Sequence, residues 1–86
     1  MANGEIERRV WLTFPDQAAV ERPLIWRMSR EFSDVVFDIR QASVQAHIGI
    51  MAMLLKGETQ RVAGAIEFLR SEGVQVDPIE KTVIEG

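Results

Sequence analysis

Between Phe32 and Val76 the hydrophobic pattern of this chain changes from that of a strand to that of a helix and back, and few folds accommodate that order. Val35 to Val44 is rich in β-branched residues, which predicts a strand. Gln45-Ala46-His47 is the expected hairpin turn. Ile48 to Leu55 follows as an apolar run, predicted to be the partner strand and to break at Lys56-Gly57. Glu58-Thr59 then offers an acidic residue and a hydroxyl suited to a helix start. Val62, Ala65, Ile66 and Leu69 recur at i, i+3, i+4 and i+7, the stripe of an amphipathic helix. Gly64 inside that helix costs about 1 kcal/mol relative to alanine, which points to close packing of helix on sheet. Gly73 is placed to end the helix in a left-handed conformation. Val74-Gln75-Val76 alternates as a closing strand, and Pro78 marks it as an edge or its end. This is the second half of a βαββαβ unit.

The preceding residues supply the first half. Val10, Leu12 and Phe14 alternate with Arg9, Trp11 and Thr13, giving a strand from Ile6 to Phe14 that Pro15-Asp16 ends. Pro23 suits the first position of a helix, where a missing N–H costs nothing, with Arg22 as its N-cap. Leu24, Ile25, Met28 and Phe32 then share a stripe while Arg27, Arg30 and Glu31 point outward, so a helix is expected over Pro23–Phe32. One sheet face can bury both helical stripes. The expected fold is therefore α+β, a ferredoxin-like βαββαβ domain whose four-stranded antiparallel sheet carries two helices on one face. A single domain is expected over residues 6–80, with a tail over 81–86. Within the tail Thr82-Val83-Ile84 is β-prone, either a swapped edge strand or a frayed end.

Composition excludes several function classes. In 86 residues there is room for one small core, because chains of this size bury only about 60–65% of their unfolded surface. The absence of cysteine removes disulfides, thiolate zinc sites and iron–sulfur clusters. No metal or cofactor is expected. A net charge of −3 leaves no basic field for a phosphate backbone, and strand 3 lacks the stacking aromatics of an RNA-recognition sheet, so no nucleic-acid partner is expected. Met1-Ala2-Asn3-Gly4-Glu5 has no signal-peptide character, and the longest apolar run is far short of the roughly 20 residues of a membrane span. The chain is expected to be soluble and cytoplasmic. His47 has no triad or metal partner nearby in sequence, and no spacing brings two carboxylates together. No phosphate loop is present, and no catalytic residue is expected.

Ile48 to Leu55 is apolar on both parities, the mark of a strand covered on both faces. Two helices cover only one face of a sheet. Trp11 with Met51, Met53 and Leu55 is the expected second apolar face, because Val10, Leu12 and Phe14 already supply a helix-facing set. These four residues are expected to form a homodimer interface; the alternative is that they are ordinary core.

The order and spacing of these segments resemble the NIL domain, the ACT-like module found at the carboxyl end of methionine-importer ATPases. It also occurs beside bacterial-type ferredoxin domains and as a free-standing protein. Asp38-Ile39-Arg40 falls where the family carries the Asn-Ile-Leu run that names it. Ala42, Val44, Gly49 and Gly57 stand at its small, apolar and turn positions. Ala65-Ile66-Glu67-Phe68-Leu69 resembles its second helix, and Gly73-Val74-Gln75-Val76 its last strand. Pro23-Leu24 opens the first helix as the family does. The short Gln45–Ile48 turn is most similar to the free-standing and ferredoxin-linked branch. The resemblance implies a paired regulatory domain that binds methionine, with the strand-2 asparagine in the site. Asp38, Ile39 and Arg40 are thus the implied ligand-binding residues. An asparagine amide donates and accepts, whereas an ionised aspartate only accepts, so Asp38 suits an ammonium group and repels a carboxylate. The alternative for Asp38 is a solvated residue paired with Arg40 or Arg9.

Two function classes follow. One is a non-catalytic sensor, dimeric, binding a methionine-like amino acid or sulfur metabolite, with a partner in sulfur-amino-acid transport or metabolism. The other is a protein–protein assembly module that binds no metabolite. A pocket beside Asp38 favours the first; a dry, filled interface favours the second.

Overall fold

The computed structural model describes residues 4–16, 22–45 and 48–79. The elements are β1 (Glu5–Phe14), α1 (Leu24–Glu31), β2 (Val36–Val44), β3 (Gly49–Glu58), α2 (Thr59–Ser71) and β4 (Gln75–Pro78). The strands lie in the order β2-β3-β1-β4, and every neighbouring pair is antiparallel. This is the ferredoxin-like α+β arrangement expected from the hydrophobic pattern. His47 and the 82–84 segment lie outside the described residues.

Both helices pack on one face of the sheet. Leu24 and Met28 of α1 join Val62, Ala65 and Leu69 of α2 over Val10, Leu12, Met53, Leu55 and Val76. The eight-residue α1 is too short to persist alone, so its docked stripe holds it. Its N-cap is Pro23, one residue later than expected, and no side chain caps it. Arg22 instead reaches the far end of α2, donating to a Glu72 carboxylate oxygen at 3.1 Å and to the Glu72 carbonyl at 2.6 Å. Arg27 donates to the other Glu72 carboxylate oxygen at 3.2 Å, which ties the start of one helix to the end of the other. Gly73 closes α2 at φ +94°, as its sequence position implied.

Two expected boundaries move. Lys56-Gly57 does not break β3; Lys56 pairs with Glu7 and Gly57 with Ile6, and the strand runs on to Glu58. A glycine weakens a strand without ending it when its partner strand continues. Glu58 itself is the N-cap of α2, its carboxylate accepting from the Arg61 N–H at 3.3 Å. Gly64 serves contact between helices rather than helix on sheet. A β-carbon there would stand 2.9 Å from Cε1 of Phe32, the residue that ends α1.

The register corrects the expected second face. Residues directly opposite in an antiparallel pair share a face. Val10 is opposite Met53 and Leu12 opposite Met51, so the odd-numbered residues of β3 join the helix-covered core. Met53 is 1% exposed and Leu55 0%. Trp11 is opposite Ala52 instead, on the face that neither described helix covers. Alternation defined both sets, but only the pairing register says which set belongs with Trp11.

Candidate functional site

The uncovered sheet face carries the candidate site. Its centre is apolar: Trp11, 38% exposed, and Ile50, 42% exposed, with Leu54 half-buried and Ala52 buried beside them. Charged groups surround this band. Glu7 lies opposite Lys56, Asp77 opposite Trp11, Arg9 opposite Leu54 on one side of β3 and Asp38 opposite Leu54 on the other.

A β-bulge in β2 sets the geometry. Asp38 pairs with Leu54 and Ile39 with Met53, but the next partner, Ala52, is met by Gln41, leaving Arg40 as the extra residue. A bulge adds one residue to a strand and reverses its alternation beyond that point. Phe37 and Ile39 before it, and Ala42 and Val44 after it, are opposite core-side residues of β3 or Gly49. Asp38, Gln41 and Ser43 are opposite residues of the uncovered face. The sequence carries this slip: apolar residues stand at 37 and 39, then at 42 and 44.

The structure brings together two of the three expected ligand residues. Arg40 Nη1 donates to Asp38 Oδ2 at 2.9 Å, and both side chains are more than half exposed. Such a pair contributes about 0–1 kcal/mol and exchanges partners easily. Ile39 is separated from them, since its partner Met53 puts it on the opposite face. Of the four expected interface residues only Trp11 lies on the open face; Met51, Met53 and Leu55 belong to the core side.

Three residues that share a cleft with Arg40 were not among the expected site residues: Arg9, Ala52 and Ile79. Arg9, Arg40, Ala52, Met53 and Ile79 line a cleft of about 230 Å³. Arg9 and Arg40 come from the strands on either side of β3, and Ala52 lies between them. Arg9 has no ion-pair partner among the described residues. A second cleft of about 180 Å³ lies between the start of α1 and the end of the β2–β3 hairpin. Its lining includes Phe14, Leu24, Trp26, Ala42, Val44 and Met51, with Arg22 as its one charged residue among those described. Among the described residues no three His, Asp or Glu side chains cluster to hold a metal. No described helix is long and apolar enough to cross a membrane, a statement that does not extend to strand-built barrels.

Comparison with known proteins places this geometry in a family. No curated protein matches the chain. Among solved structures, the C-terminal domain of an ABC transporter/ATP-binding protein from Enterococcus faecalis superposes with a TM-score of 0.71 at 27% identity, covering 87% of this chain and 86% of that one. The de novo designed protein Foldit4 superposes with a TM-score of 0.57 at 14% identity, over 92% of this chain and 100% of its own, a likeness of fold alone. The model of the NIL domain family matches residues 8–78, which takes in the bulge, the open face and both helices, and the chain belongs to the NIL domain family.

Proposed function

We propose that this NIL domain is a non-catalytic regulatory module that binds a small amino-acid-like ligand on its open sheet face. It acts there as a homodimer, in the cytoplasm, in the context of sulfur-amino-acid transport or metabolism. The observation that carries this reading is the Asp38–Arg40 pair at the β2 bulge, beside an apolar band that neither described helix covers. An acceptor-only carboxylate next to Trp11 and Ile50 suits an ammonium group attached to an apolar side chain. The similar C-terminal domain of an ABC transporter/ATP-binding protein supports the transport context. The NIL domain match and the likeness to the C-terminal domain of an ABC transporter/ATP-binding protein support a regulatory rather than a catalytic role.

Isothermal titration of wild type, Asp38→Asn and Asp38→Ala against methionine and related amines tests the ligand. Asp38→Ala is expected to lose binding, and Asp38→Asn to move preference toward methionine. In thermal shift, a ligand at 100 times its Kd raises stability by about 2.7 kcal/mol. If none of the three proteins binds any of these compounds, the exposed Trp11–Ile50 band is the contact surface of an assembly module instead.

A further inference from the structure

We propose that Arg9 and Arg40 form a carboxylate clamp over Ala52, so that the open-face site selects a zwitterion rather than a simple amine. The inference deepens the ligand reading above and rests on it for the ammonium half of the ligand. Three features of the cleft converge on this chemistry.

The first is the pair of guanidiniums. Arg9 on β1 and Arg40 on β2 line one cleft although a whole strand separates them. Arg40 donates to Asp38 through Nη1, and no carboxylate partners Arg9 among the described residues. Each guanidinium carries five donors in a planar fork that matches a carboxylate. The second is the small residue between them. On the open face β3 presents Ile50, Ala52 and Leu54 in turn, and the one methyl-sized side chain is in the cleft with the two arginines. A leucine there would occupy the space where a carboxylate meets both. The third is charge. Arg9 and Arg40 line the cleft with no carboxylate among its described lining residues. With Asp38, which Arg40 holds from outside the cleft, they sum to one positive charge; a single carboxylate neutralises that charge while Asp38 remains for an ammonium group. A carboxylate balances that single positive charge, whereas a doubly charged phosphate leaves one negative charge in excess beside Asp38.

Titration of wild type, Arg9→Gln and Ala52→Leu with L-methionine and L-methioninamide, which lacks the carboxylate, tests the clamp. Melting curves first establish that both variants fold; Arg9 is exposed and Ala52 is buried in the cleft lining. In wild type, L-methionine is expected to bind at least about tenfold more tightly than the amide, the effect of one charge-assisted contact. Arg9→Gln is expected to remove that preference with little change in amide affinity, and Ala52→Leu to weaken the amino acid. Equal binding of acid and amide, unchanged in Arg9→Gln, would overturn the clamp and leave the ligand reading intact. If wild type binds neither compound, acetate titration followed by amide NMR separates the two claims. Shifts at Ala52 and Arg40 that vanish in Arg9→Gln support the clamp while the amino-acid reading falls. Absence of those shifts overturns the clamp as well.

Discussion

At the residue scale, exposure and role divide along β3 one side chain at a time. Met53 belongs to the helix-side core and Ala52 is opposite Trp11 on the other face, although they are neighbours in sequence and both border the cleft. Met53→Ala is therefore expected to lower stability by about 2–5 kcal/mol, the usual effect of a buried cavity, in a urea melt. A change near zero would place Met53 on the surface. Gly64 gives a second prediction. Alanine in a helix gains about 1 kcal/mol over glycine, but here its methyl group meets the Phe32 ring at 2.9 Å. That ring is held between the Arg61 guanidinium at 4.8 Å and Phe68 at 6.3 Å, so it cannot yield freely. Gly64→Ala is expected to stabilise a Phe32→Leu protein by about 1 kcal/mol more than it stabilises wild type, read as coupling in a double-mutant cycle. Zero coupling would show that the two helices do not meet there.

At the element scale the bulge is the feature with most consequence, since it keeps Ala42 and Val44 opposite core-side positions while setting Arg40 beside the cleft. Deleting Gln41 lets Arg40 take its place opposite Ala52, which removes the bulge and leaves Ala42 opposite Met51. The deletion is expected to fold, with a loss below the roughly 2–5 kcal/mol of a core truncation. Without a bulge, the same deletion would turn Ala42 and Val44 outward and unfold the hairpin, and circular dichroism separates the outcomes. This element also shows what the sequence could disclose. Element order, the helix stripes and Gly73 were legible because periodicity and backbone chirality are local properties. The partner of Trp11 was not, because register depends on pairing between segments about 40 residues apart, Trp11 and Ala52. Arg9 escaped the expected ligand set for the same reason: only the sheet order brings β1 and β2 to either side of Ala52. Asp38 and Arg40 entered the expected ligand set through family likeness, and the slip from 37 and 39 to 42 and 44 was the local signal that locates the bulge.

At the scale of the whole molecule, a four-stranded sheet with both helices on one side leaves a face with Trp11 and Ile50 half-exposed and no disulfide to compensate. Chains this small commonly gain stability from a second subunit. The band is ringed by both signs of charge, Arg9, Lys56 and Arg40 against Glu7, Asp38 and Asp77, so two copies related by a twofold axis can set unlike charges against each other. The expected homodimer therefore uses Trp11, Ile50 and Leu54, not the buried Met53 and Leu55. Trp11→Glu places an unpaired charge in that contact while leaving the helix-side core untouched. Sedimentation at tens of micromolar should find wild type as a dimer and the variant as a 9.7 kDa monomer. The wild-type melting temperature should also rise with protein concentration, as that of an associating fold does, whereas that of Trp11→Glu should not. A wild type that stays monomeric and melts independently of concentration would remove the dimer, and with it any need for a partner subunit in the site beside Asp38.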